Sequence, residues 1–290
     1  MKIKLSSGVT TSDKNIVKRD IIKKVVYKKA EEMLVGKNAI PLESSDALDL
    51  KFVLPKETVI EAEKTTEGAR KKRKRLEWFE VAQYLEKYQV EVLITDEAKA
   101  RQLEKLQTRK SLDAASRGMA IAKDKDIFTV LSAGAGKSQA ATACWDADGA
   151  DPVGDIAKAI AYIMDNTVLL ETELKSINVF YPACLFAHLT KLTEIENIHR
   201  SVIDYMKAQW GIGFYPTRQL DDDALVVVNS PETAFHYTYT GADVPTSEEE
   251  RIPGVGDSYL ITQYFKTFIM PESEGGTTNK RIYKITNVVT

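Results

Sequence analysis

The sequence predicts an α+β fold, with strands toward both ends of the chain and helices alternating with strands between them. Three observations carry that expectation. Apolar and polar residues alternate with period two over Leu48–Leu54 and again over Tyr88–Ile94, as half-buried strands do. The stretch from Asp96 to about Leu131 has no proline, and only Gly118 weakens it as a helix. Farther on, Asp151-Pro152 opens an amphipathic helical pattern, strand-like Ile177–Tyr181 and Ala224–Val228 follow, and the chain closes with strand-like runs at Tyr259–Met270 and Arg281–Val289. The termini are therefore expected to pair in one sheet.

Composition narrows the function. With 290 residues, 43% of them hydrophobic, the chain can build a real core. Its 40 Lys+Arg stand against 42 Asp+Glu, a net charge of -2, which excludes a protein that coats nucleic acid through a general basic excess. Two cysteines, Cys144 and Cys184, fall outside any CxxC pair and argue against a disulfide framework or a zinc site, which fits synthesis inside a cell. No stretch approaches the roughly eighteen apolar residues of a membrane span, and Met1–Thr11 lacks a signal-peptide core.

The elements follow in order. Residues 1–37 are polar and lysine-rich, with one helical stripe between Asp13 and Val35 carrying Ile16, Ile21, Ile22, Val25, Val26 and Met33 or Leu34. Such an arm holds a helix only where that stripe finds another surface. Leu48–Leu54 ends at Pro55, Tyr88–Ile94 runs into the helix-start signal Thr95-Asp96-Glu97, and the two strands are expected to pair. Between them lie about thirty Glu- and Lys-rich residues, too long an excursion for a compact core. The helix from Asp96 carries Leu103, Leu106, Leu112, Ala115, Met119, Ala122, Ile127, Phe128 and Leu131. At ~1.5 Å per residue it would span about 50 Å, which reads as a spine. Ser132–Gly136 ends it and opens a small-residue linker to about Ala150. The helix after Pro152 is expected to bury Ile156, Ala157, Ile160, Ala161, Ile163 and Met164. Pro182 starts another through Leu185, Phe186, Leu189 and Leu192, and a third covers Glu196–Trp210.

This order of parts resembles the Hong Kong 97-type capsid fold of tailed viruses, which encapsulins share. Four segments carry the resemblance: Leu48–Leu54 through Glu67-Gly68 and back along Tyr88–Ile94, like the family's extended loop; Thr95-Asp96-Glu97 leading into the spine; Asp155–Ile160, Ile177–Pro182 and Leu185–Leu192, like the axial core; and Gly213–Thr217 with Ala224–Val228, like the crossing strand pair after it. The resemblance implies an N-terminal arm at 1–42, an extended loop at 43–94, a peripheral domain with the spine at 95–150, an axial domain at 151–258 and return strands of the peripheral domain at 259–290. It implies a non-enzymatic major capsid protein without cofactor or metal, assembled in the host cytoplasm into a virion. Its partners are then itself, in pentamers and hexamers, together with scaffolding, portal and decoration proteins and packaged double-stranded DNA, and no membrane. The same resemblance leaves an encapsulin shell enclosing a cargo enzyme as the alternative, while an α/β enzyme with a regulatory hairpin and a nucleic-acid-binding module are rivals of other classes.

Motifs with a chemical reading are few. Gly134-Ala135-Gly136-Lys137-Ser138 lacks the glycine a phosphate loop needs at Leu131 and follows a helix where a strand is required. His188, His199 and His236 sit in no ligand motif, and Cys184 and His188, one helical turn apart, read as packing. Arg70, Lys71, Lys72, Arg73, Lys74 and Arg75 form six consecutive cations with no aromatic among them. They read as an inter-subunit contact near Glu67-Gly68, docking on acidic surface of a neighbour such as Asp221, Asp222 and Asp223 or Glu248–Glu250; a solvated loop is the plainer reading. Some members of the family cross-link a lysine to an asparagine, for which Lys64 with Asn279 or Asn287 are the candidates here.

Overall fold

The computed structural model describes residues 11–55, 77–101, 104–169, 171–191, 193–195, 198–241 and 247–290. In chain order the first elements are α1 (Thr11–Met33), β1 (Leu42–Ser45), β2 (Asp49–Pro55), β3 (Trp78–Tyr84), β4 (Glu86–Thr95), α2 (Asp96–Ala100) and α3 (Glu104–Ala133). Then come β5 (Ala135–Ala140), α4 (Pro152–Asn166), α5 (Glu171–Leu174), β6 (Ile177–Pro182), α6 (Phe186–Thr190), β7 (Thr193–Ile195) and β8 (Ile198–Arg200). The chain closes with α7 (Val202–Trp210), β9 (Gly213–Thr217), β10 (Ala224–Val228), β11 (Ala234–Tyr239), β12 (Ser247–Ile252), β13 (Gly256–Ile269) and β14 (Asn279–Thr286).

Two five-stranded sheets organise these elements. In the first, β13 is the hub: β12 and β4 flank its N-terminal half, β11 pairs its C-terminal half, and β1 lies parallel beyond β11. The second runs β5-β14-β10-β6-β9. Its centre is β10, whose five residues Ala224–Val228 are all buried, as a continuous apolar run must be when both faces are covered. Ala224, Val226 and Val228 pack with Ile156, Ile160 and Ile163 of α4 and Met206 of α7. Leu225 and Val227, on the opposite face, meet Ile127, Phe128 and Leu131 at the end of α3. The 30-residue spine, about 45 Å long, therefore plugs its C-terminal end into the second sheet and lays its middle along the first.

The N-terminal stripe finds its surface within the same chain. Ile22, Val26, Ala30 and Leu34 are buried at every fourth residue against α3, Leu34 and not Met33 closing the stripe, whereas Ile21, also expected in it, is exposed. Asp124 of α3 fixes the exit of α1 by accepting the Gly36 N–H at 2.8 Å and the Val35 N–H at 3.1 Å.

Several expectations need correction. Tyr88–Ile94 does not pair with Leu48–Leu54: β2 pairs β3, and β4 pairs β13. Alternation marks a strand but does not choose its partner. The expected linker after Gly136 contains β5, held parallel to β14 through its backbone, so its small side chains left no pattern to read. On α4, Ala161 and Met164 are exposed, and the helix buries Ala159. The helix expected from Glu196 starts only at Val202, where the Ser201 hydroxyl caps the Asp204 N–H at 3.1 Å. The expected boundaries shift as well. Strands β11 and β12, placed in the axial segment, belong to the sheet of β13, whereas β14, placed with the return strands, lies between β5 and β10. The C-terminal strands thus divide between two sheets instead of closing one.

Candidate assembly surface

The hairpin β2–β3 leaves the body at Leu85, whose N–H bonds Leu48 O at 3.0 Å before the chain enters β4. Its register runs from Asp49↔Tyr84 to Pro55↔Trp78. Alternation puts Leu50, Phe52 and Leu54 on one face with Phe79 and Val81, and that face packs inward: the Phe52 ring lies 5.6 Å from Tyr237 and 6.1 Å from Phe268. The opposite face points outward and mixes charged residues with large apolar ones. Val53 is 62% exposed, Trp78 56% and Tyr84 64%, beside an exposed Lys51–Glu80 pair at 3.5 Å. Among the described residues neither strand of the hairpin has a second partner, so both edges carry unpaired backbone groups. A two-stranded unit of this kind is marginal until something covers it.

The expected contact residues divide. Glu67, Gly68, Arg70, Lys71, Lys72, Arg73, Lys74 and Arg75 lie outside the described residues, as does Lys64. Asp221, Asp222 and Asp223 form the turn before β10, and that turn works within the chain: Asp223 pairs with Lys284 at 2.7 Å, and Asp222 O accepts the Val288 N–H at 2.8 Å. Glu248, Glu249 and Glu250 are exposed on β12. Asn279 is 1% exposed, and its amide donates to Met270 O and Glu232 O, both at 2.8 Å, so this candidate for cross-linking is an internal clamp, whereas the other, Asn287, is exposed.

The other chemistry-bearing groups resolve in the same way. Gly134–Ser138 ends α3 and begins β5, a helix-to-strand order opposite to that of a phosphate loop. Gly136 is needed for approach, since a Cβ there would lie 2.5 Å from Lys280 Cα. Cys184 and His188 are exposed, so packing does not account for them. Among the described residues no three His, Cys, Asp or Glu side chains gather to hold a metal ion, and no helix is long and apolar enough to cross a membrane.

His236 is 1% exposed under the spine. Its Nδ1 is 2.9 Å from Thr267 Oγ1, and the Thr267 hydroxyl donates to Asp126 at 2.7 Å. This order puts the proton on Nδ1 and leaves Nε2 as a buried lone pair with no partner among the described residues. Burial, helped by the Lys123 charge, lowers the imidazole to about 3. The Asp126 carboxylate, 3.7 Å from Nδ1, pulls the other way but is already engaged by the Thr267 N–H and hydroxyl. Burial likewise brings Lys123, 2% exposed, down to about 8, with its ammonium 5.5 Å from the Phe265 ring centre. These groups sit between α3 and the first sheet, where a structural role suffices.

Sequence reasoning missed β3 and the buried Lys123. Trp78, Phe79, Val81 and Tyr84 are strand-favouring residues, a usable signal that the neighbouring charge run obscured. Nothing local marks Lys123 as buried.

No protein-family model matches the sequence, and no curated protein does. Solved structures do. A virus-like particle from Pyrococcus furiosus aligns over 92% of this chain and 98% of its own at 11% identity and a TM-score of 0.64. A phage-related protein from Bordetella bronchiseptica RB50 aligns over 93% and 96% at 16% identity and 0.62. The encapsulin of Synechococcus elongatus aligns over 99% and 91% at 8% identity and 0.54. The fold is thus shared over nearly the whole chain.

Proposed function

We propose, for a chain that has the Hong Kong 97-type capsid fold, that its work is assembly: copies join in pentamers and hexamers into a closed icosahedral shell, the major capsid of a tailed virus. The hairpin carries this reading. Its outward face exposes Val53, Trp78 and Tyr84 and both of its edges are open, an arrangement completed by a neighbouring copy. In the shell the hairpin and the cationic run Arg70–Arg75 reach a neighbour, α3 spans the wall, and the β10 sheet packs toward the five- and six-fold axes. The exposed Met164 and Trp210 line an apolar groove of about 380 Å³ with Ile160 on that sheet's helical side, a second surface for a neighbour to cover. Scaffolding, portal and decoration proteins act on the shell from outside this chain. Double-stranded DNA fills it through volume and diffuse contact, as a net charge of -2 requires.

Electron microscopy of the purified chain tests the proposal. Closed polyhedral particles are expected, and Val53→Ser/Trp78→Ser should abolish them while subunit thermal stability stays unchanged. Monomers at high concentration would end the shell reading. Particles that purify with a protein cargo and no DNA would replace the virus by an encapsulin-type compartment.

A further inference from the structure

The spine turns one kind of charge outward. Its carboxylates between Leu106 and Ala133 are all engaged inside the chain: Asp113 accepts the Lys29 ammonium at 2.5 Å, Asp124 the Gly36 N–H and Asp126 the Thr267 N–H. The exposed charged residues of the same stretch are Arg109, Lys110, Arg117 and Lys125, all cations. Lys110, Arg117 and Lys125 follow at two-turn steps, so they share one side of α3, away from buried Ala115, Met119 and Ile127. On α1, Lys24 and Lys28 stand one turn apart, opposite buried Ile22, Val26 and Ala30. The two helices pack against each other and rest on the first sheet, so their outward sides form one face. Among the described residues Lys24, Lys28, Lys110 and Lys125 make no ion pair. The excess registers on Asp113, whose carboxyl is held below the usual carboxylate range by the Lys29 hydrogen bond and by the charges of Lys29, Arg109 and Arg117. The exposed acids among the described side chains of α1, Glu31 and Glu32, are confined to its last turn.

This arrangement selects its partner. The chain as a whole carries a charge of -2, so a face of unpaired cations is balanced by acidic surface elsewhere, and an anion is drawn to this side alone. The exposed apolar residues of the spine do not favour an apolar partner. Leu106 and Ile121, 52% and 56% exposed, stand about 22 Å apart at ~1.5 Å per residue, too scattered to form a patch. Point charges spread over two rigid helices suit a polyanion whose charge is dense and repeats along its length. Duplex DNA presents one charge per ~1.7 Å of axis, and cations on an exposed helical face meet its phosphates without reading bases. We infer that the α1–α3 face bearing Lys24, Lys28, Arg109, Lys110, Arg117 and Lys125 is the surface on which the phosphate backbone of double-stranded DNA lies. The inference rests on the shell reading and names the surface that its DNA touches, which then looks into the shell. The attraction is local and driven by counterion release, so it coexists with a net charge of -2 and weakens steeply with salt.

Fluorescence anisotropy of a short random-sequence duplex with full-length subunits, from about 50 to 200 mM salt, tests it. Lys110→Gln/Arg117→Gln/Lys125→Gln removes exposed charges from the spine and keeps good helix formers. Arg70→Gln/Lys72→Gln/Lys74→Gln removes as many from the rival cationic run. Melting temperature checks that both variants fold. At about 0.9 per phosphate contact, the spine variant should flatten the slope of log affinity against log salt by about 2–3 and bind about tenfold or more weakly. The run variant should keep the slope of the unsubstituted chain. A spine variant that binds as the unsubstituted chain does overturns the inference, and a slope lost only with the run hands the DNA to residues 70–75. An unsubstituted chain that fails to bind the duplex at low salt overturns it too, and retention of poly-glutamate in that case gives the face to an acidic protein. Electron microscopy of the unsubstituted chain separates the two readings. Particles without duplex binding leave the shell standing and remove its DNA face, whereas absence of particles defeats the shell reading itself.

Discussion

Replacing Asn279 probes the seam between the two sheets. Its amide donates to Met270 O at the end of β13 and to Glu232 O before β11, both at 2.8 Å, and its Oδ1 accepts the Arg281 N–H at 2.9 Å within β14. One buried side chain therefore ties a strand of the second sheet to two segments of the first. Asn279→Ala leaves Met270 O and the Arg281 N–H without partners in a site 1% exposed, and frees the partly buried Glu232 O. At ~1 kcal/mol for each of three groups the cost is about 3 kcal/mol. Asn279→Asp keeps the shape but turns a donor toward carbonyl oxygens into a carboxylate, so at neutral pH it should cost more than alanine. Such a carboxylate has a folded pKa raised above its unfolded value near 3.9, and its excess penalty fades as pH falls through the folded value. The assay is equilibrium urea unfolding of unassembled subunits followed through Trp145, 3% exposed. With an m-value of ~3 kcal/mol/M the alanine midpoint falls by roughly 1 M. A shift under a third of that, or aspartate more stable than alanine at pH 7, refutes the account of the clamp.

Other substitutions follow from the same packing. Lys123→Met keeps volume and removes a buried ammonium; because burial holds its folded pKa near 8, below the unfolded 10.5, the change should stabilise the subunit by about 2 kcal/mol at pH 7, with the gain shrinking between pH 8 and 10.5 in a pH series of thermal melts. Gly136→Val forces a side chain into the Lys280 backbone and should lower stability by about 1–3 kcal/mol, read as a lower melting temperature. Leu34→Ala, at a site 2% exposed against Ile127 and Leu131, should cost about 2–4 kcal/mol and speed amide exchange in α1; unchanged exchange would mean the helix is held by something other than this ladder.

The sequence by itself determined what depends on neighbours a few residues away. The alternation at Leu48–Leu54, the Asp151-Pro152 start of α4, the unbroken apolar run of β10 and the long helical stretch after Thr95 are each written in local spacing, and each is present, the last as the two helices α2 and α3. Tertiary structure decided who meets whom. That β3 rather than β4 pairs β2, that the small-residue stretch after Gly134 becomes β5 because β14 offers it a backbone edge, and that β14 leaves the sheet of β13 all depend on contacts between residues far apart in sequence. The candidate surface divides along the same line. The alternation of Leu50, Phe52 and Leu54 is legible in the chain, but that Phe79 and Val81 complete their face, and that Val53, Trp78 and Tyr84 share the exposed one, depends on the β2–β3 register, and a register set by backbone hydrogen bonds leaves no mark in local sequence.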